Sequence, residues 1–182
     1  VVHVRYATVF LRDLPAAFEG ATLLFVSDID AHSARDARAA AEMMDALVAL
    51  EPDVLLLGGD YAAPSLWETL NGMDMENAAV AAQAASDRHL FFSALADFSA
   101  PLGKFAVAAA EDALPEQLAQ TMAVGGVRLL QGEAVTLTRD GANLTIAGIA
   151  PEGDLSALSS AVRAGDWTYE HMYRGFEYRG GT

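Results

Sequence analysis

The sequence predicts an α/β protein, an α/β sandwich in which mixed β-sheets are flanked by helices. Three observations carry that reading. Short apolar runs of strand length alternate with longer stretches of helical period. Those short runs end on acids: Leu23-Leu24-Phe25-Val26-Ser27-Asp28-Ile29-Asp30, then Val54-Leu55-Leu56-Leu57-Gly58-Gly59-Asp60, then Phe105-Ala106-Val107-Ala108-Ala109-Ala110-Glu111-Asp112. Two alternating segments late in the chain surround an Asp-Gly pair, which adds an antiparallel hairpin.

The elements follow in order. Val2 to Leu11 is rich in β-branched and aromatic residues and reads as an edge strand. Asp13-Leu14-Pro15 and Glu19-Gly20 punctuate a loop. Thr22 to Ser27 is nearly continuously apolar, as expected of a strand buried on both faces. Ser33 to Leu50 is a helix, with Ser33 as its cap and Ala37, Ala40, Met44, Leu47 and Val48 as its apolar stripe. Pro52-Asp53 stops it, and Val54 to Leu57 is the second buried strand. Pro64 to Met75 reads as irregular, and Asn77 to Phe98 as an alanine-rich helix with Pro101 beyond its end. Lys104 to Ala108 is a third strand, and Leu114 to Ala123 a helix closed by Gly125-Gly126. Val127 to Leu130 is a short strand. Glu133 to Thr138 and Asn143 to Ile149 form the hairpin, and Asp154 to Arg163 a last short helix.

The C-terminal part reads as incomplete. Trp167 to Phe176 is polar-aromatic with no clear period, and no strand is expected to return the chain to the sheet. The expectation is a break in the chain between Asp166 and Trp167.

Composition narrows the function classes. A chain of 182 residues with 53% hydrophobic content fits a single domain over 1–182 with a sizeable core. A net charge of −14 argues against nucleic-acid and anionic-membrane binding, because phosphate is repelled unless a cation intervenes. The absence of cysteine removes disulfides, thiolate metal sites and cysteine nucleophiles. No apolar run reaches the ~18 residues of a membrane span. The chain starts at Val1-Val2 without methionine. Two localisations stay open: tethered to a membrane or extracytoplasmic if an anchor precedes Val1, cytoplasmic otherwise.

The acids at the strand ends are the candidate site. A parallel α/β sheet takes its ligands outside the carboxyl ends of its strands. Carboxylates gathered there need a cation between them or protons on some of them. Asp28, Asp30, Asp60 and the Glu111-Asp112 pair are the candidates, and their oxygen donors suit a hard ion.

A run of ordered anchors then resembles a known family. The order is Leu14-Pro15, Phe18-Glu19-Gly20, Ser27-Asp28, Glu51-Pro52-Asp53, Gly59-Asp60, Ala100-Pro101-Leu102-Gly103 with Ala106-Val107, and Gly126-Val127-Arg128-Leu129-Leu130. From about Leu11 to Ile149 this resembles the calcineurin-like metallophosphoesterases. It is most similar to the bacterial branch whose catalytic domain often follows an N-terminal membrane segment. The resemblance implies a metallophosphoesterase-like α/β sandwich and a metal-dependent phosphoester hydrolase. The family uses Asp-x-His, Gly-Asp, Gly-Asn-His-Asp, a lone His and Gly-His-x-His to hold two metal ions.

The chain departs from that pattern at defined positions. Asp28 and Asp60 match the first and the metal-bridging aspartates. Asp30 stands where the family has histidine, Ala110 where it has asparagine, and Glu111 where it has the proton-donating histidine. Asp112 keeps the last position of that motif, and no Gly-His-x-His occurs in the sequence. The resemblance therefore implies metal ligands Asp28, Asp30, Asp60 and Glu111, with Glu111 and Asp112 as catalytic candidates. One divalent ion (manganese, magnesium or calcium) is expected, and a dinuclear centre is not. Hydrolysis is expected to be weakened or lost. The alternative is a catalytically inactive binding or regulatory module on the same fold. The expected partner is a phosphate-containing small molecule or a lipid-linked phosphate. Among the histidines, His32 reads as an exposed helix-start residue or a displaced ligand. His89 reads as a partly buried packing residue, His3 as a surface residue, and His171 has no assigned role.

Overall fold

A computed structural model of the chain describes residues 2–109, 112, 115–149 and 177–180. Its centre is a four-stranded, wholly parallel sheet in the order β2-β3-β4-β5. The strands are β2 (Leu23–Val26), β3 (Val54–Leu57), β4 (Gly103–Ala106) and β5 (Val127–Leu129). Helices α1 (Ala34–Leu47), α3 (Ala78–Ala94) and α4 (Pro115–Val124) connect them, with a short α2 (Leu66–Leu70) ahead of α3. The antiparallel strands form separate pairs: β6 (Glu133–Arg139) with β7 (Ala142–Gly148), and β1 (Ala7–Phe10) with β8 (Glu177–Gly180).

The pleat of β3 shows how the layers are built. Leu55 and Leu57 face a core made with Met44 and Leu47 of α1, Phe91 and Phe92 of α3, and Leu118 and Met122 of α4. Val54 and Leu56, on the opposite face, join Phe18, Phe105, Leu130 and the hairpin residues Val135, Leu137, Leu144 and Ile146. Successive strand residues point to opposite faces, so one apolar run supplies both cores. Helices cover one face of the sheet and the β6–β7 hairpin covers the other.

Local signals act as expected at several ends. Ser33 accepts the amide of Asp36 at the start of α1, and Asn77 accepts those of Ala79 and Val80 at the start of α3. The hairpin turns on Asp140 and Gly141, both at positive φ (51° and 78°), the turn whose twist suits the flanking strands.

Three expectations are corrected. The main sheet is parallel and not mixed, because among the described residues the hairpin lies across its face without joining its ladder. β2 is an edge strand and not one buried on both faces. Leu23 and Phe25 are 53% and 64% exposed, because the second layer covers β3 and β4 but stops short of β2. The stretch Pro64–Met75 contains α2, started by a reciprocal capping box between Ser65 and Glu68. The late strand β8 pairs with β1 and, among the described residues, does not join the main sheet. The expected helix at 154–163, the junction of Asp166 and Trp167, and His171 lie outside the described residues. Among the described residues, no helix is long and apolar enough to cross a membrane.

Candidate functional site at the carboxyl edge

β2 and β3 are parallel neighbours with Val26 opposite Leu57, so the residues after them leave the sheet side by side. Their turns are then stitched together by the backbone. Asp28 donates to the carbonyl of Gly59 (3.1 Å), Asp30 to Asp60 (3.0 Å) and Ala31 to Tyr61 (3.3 Å), while Ala63 donates back to Ala31 (3.2 Å). Asp28, Asp30 and Asp60 all adopt left-handed backbone conformations, with φ of 56°, 46° and 59°. Aspartate tolerates this region better than most residues because its short polar side chain bonds locally. Here Ser27 donates its hydroxyl to the Asp28 carboxylate.

Gly59 fixes how close the next turn comes. Its φ is 99°, and a Cβ there would lie 2.7 Å from the backbone nitrogen of Ala109. The turn after β3 therefore touches the segment after β4 backbone to backbone, which only glycine allows.

Asp112 closes that contact. Its carboxylate accepts the amides of Asp60 (3.0 Å), Tyr61 (3.1 Å) and Ala109 (2.8 Å). One side chain thus ties the β3 turn to the β4 turn. Tyr61 lies buried beneath: its hydroxyl donates to the carbonyl of Val107 (2.7 Å) and accepts the amide of Gly59 (3.2 Å). Burial, with a further push from the Asp112 charge and an opposing bond from Gly59, raises the phenol far above its ordinary range. Tyr61 is therefore a neutral hydrogen-bonding strut at physiological pH.

The rim is acidic with one imidazole. His32 Nε2 lies 3.3 Å from the Asp30 carboxylate, and its Nδ1 lies 3.4 Å from the carbonyl of Ala63. Glu68 is held below the usual carboxylate range, first by its hydrogen bonds to Ser65, with the His32 charge adding a smaller pull. His89 is exposed and does not pack in the interior as expected, because α3 turns Asp87 and Arg88 inward at that level.

The structure thus brings Asp28, Asp30, Asp60 and Asp112 to one edge and places His32 against Asp30. Glu111 and Ala110 lie outside the described residues. The donor chemistry is all-oxygen apart from His32, which suits a hard cation. Among the described residues, no three acidic or histidine side chains are gathered closely enough to form a metal cage.

Sequence reasoning missed the buried pair below the edge. Asp87 and Arg88 are 1% and 4% exposed in the middle of α3. The sequence reading gave neither residue a role. The available signal was that α3 has apolar residues all round, which marks a helix buried on more than one side.

No protein-family model matches the chain, and no curated protein matches it either.

Proposed function

We propose that the chain is a metallophosphoesterase-type protein that holds one hard divalent cation at this carboxyl edge and hydrolyses phosphoesters weakly or not at all. The observation that carries the reading is the pairing of the Asp28–Ala31 and Gly59–Ala63 turns. It sets Asp28, Asp30 and Asp60 on two adjacent, cross-bonded loops at the edge where such sheets take ligands. An ion there would neutralise a phosphate group and acidify a bound water. Manganese, magnesium or calcium fits the oxygen donors, and the partner is a phosphate-bearing small molecule or a lipid-linked phosphate. Glu111 stands where the family has its proton donor, and its carboxyl would serve only in the protonated form.

A second reading, an inactive binding or regulatory module, is favoured by Asp112. Its carboxylate is engaged by three backbone amides, which makes it a structural tie.

Equilibrium dialysis with manganese tests the proposal, alongside hydrolysis of an aryl phosphate in excess manganese. The expected result is one ion per chain, with affinity reduced about tenfold or more in Asp60→Asn, because ligand charge sets affinity for such ions. Turnover is expected near the background rate, since loss of general-acid help alone costs ~10²–10⁴-fold. No ion binding by the intact chain would overturn the metal reading. Robust turnover that survives Asp60→Asn would place the chemistry elsewhere.

A further inference from the structure

We propose that Arg88 is a positioning residue for the carboxyl edge: its buried guanidinium is the counter-charge behind Asp112, and through Asp112 it holds the Asp60–Tyr61 turn in shape. The inference does not depend on whether an ion binds.

The placement of Arg88 follows from the direction of α3. Lys104, near the start of β4, donates to the carbonyl of Leu95 just past the end of α3 (2.6 Å). The C-terminal end of α3 therefore lies at the amino edge of the sheet, and its earlier turns climb toward the carboxyl edge. Phe92 packs on Tyr61 with ring centroids 5.0 Å apart. Arg88 is one turn earlier on the same face of the helix, ~6 Å nearer the carboxyl edge. Tyr61, in turn, gives its amide to Asp112. Arg88 thus lies on the α3 face that carries Phe92 against Tyr61, the residue whose amide Asp112 accepts.

The chemistry of Arg88 requires such a partner. It is 4% exposed, and its Nη1 has no hydrogen-bond partner among the described residues. A buried cation is tolerated when an anion compensates it. Burial works against its charge, and the carboxylates of Asp112 and Asp87 work for it. Asp87 is engaged in part: its Oδ1 accepts the side-chain amide of Gln83 (2.9 Å), its Oδ2 has no hydrogen-bond partner among the described residues, and it lies within the field of Asp36 and Glu68. Asp112 is also well placed to serve, because its carboxylate is already fixed by three backbone amides. Removing the guanidinium would leave that carboxylate uncompensated in a partly buried site and loosen its hold on the turn.

Amide hydrogen exchange in the full chain tests this, with Arg88→Met, Asp112→Asn, the double variant and Arg88→Lys. Each of the two single charge removals is expected to speed exchange at Asp60, Tyr61 and Ala109 about 5–30-fold relative to Leu55 and Leu57 in the central strand. The double variant is expected to be no faster than the faster single, because both act on one tie. Arg88→Lys keeps the charge and is expected to retain most of the protection. If Arg88→Met changes the edge amides only in step with Leu55 and Leu57, Arg88 is a packing residue and the inference fails. It fails equally if the two effects multiply in the double variant. Should Arg88→Met not fold, Arg88→Lys decides alone: protected edge amides support the inference, and a loss matching Asp112→Asn overturns it.

Discussion

At the amino edge of the parallel sheet, Asp53 accepts the amide of Thr22 (2.8 Å) and its hydroxyl (3.2 Å), and pairs with Arg139 of the hairpin (3.3 Å). At the carboxyl edge, Asp112 also accepts backbone amides, but it does so among Asp28, Asp30 and Asp60, with the imidazole of His32 beside Asp30 at the rim. Both aspartates tie neighbouring loops together. The amino edge adds a guanidinium on the surface and so closes its electrostatics locally. The carboxyl edge collects anions, draws its compensating guanidinium from the buried helix behind, and keeps its acids at the mouth of the sheet.

The largest expected effect contrasts the two ties. Asp112→Ala leaves three amides without their acceptor and is expected to cost about 3 kcal/mol in urea unfolding, given the penalty for orphaned buried donors and the strength of bonds to a charged acceptor. Asp53→Ala, at a more exposed site with a surface ion pair, is expected to cost about 1 kcal/mol. Equal losses would mean that the two edges are built alike.

A smaller effect concerns pH. Burial first, then the charges of Asp36 and Glu68, raise the pKa of Asp87, while Gln83 and Arg88 oppose the rise. A carboxyl whose folded pKa lies above its unfolded value binds a proton more tightly in the native state. Its contribution favours folding at pH below the unfolded value of 3.8 and turns against folding as pH rises through the folded pKa. Asp87→Asn is therefore expected to raise the urea midpoint at neutral pH and to remove part of the decline above pH 4. A variant that is less stable than the parent at pH 7 would show that the Asp87 charge is needed by Arg88.

The smallest effect is expected at Arg128 and Glu133, an exposed pair 3.3 Å apart on the far side of the sheet from β2. Arg128→Ala is expected to change stability by less than about 0.5 kcal/mol, and to lose even that in high salt. It serves as the reference against which the edge variants are read.

Much of the fold was legible because its signals are local. The Ser33 cap, the Asp140-Gly141 turn and the strand-then-acid pattern each depend on a few adjacent residues. The edge position of β2 was not legible, since an apolar run looks the same whether a neighbouring layer covers it or not. α2 escaped because it is only five residues long, although Ser65-x-x-Glu68 announced its start. Of the site, the acids and their shared edge could be read from strand ends. The engagement of Asp112 by the amides of the turn after β3 could not, because those bonds join residues about fifty positions apart. Nor could the inward turn of Asp87 and Arg88, which depends on how α3 packs between α1 and α4.

The strand order has a consequence for how the chain assembles. In the order β2-β3-β4-β5 each new strand docks on the one made just before it, so the main sheet can grow as the chain lengthens and never waits for a distant partner. The β1–β8 pair is the opposite case: Ala7 meets Gly180 across nearly the whole sequence. Closing so long a loop is slow, and its entropy is recovered late. During synthesis, β1 must therefore remain unpaired until residues 177–180 have left the ribosome, with Val9 and Phe10 still half exposed even in the finished fold.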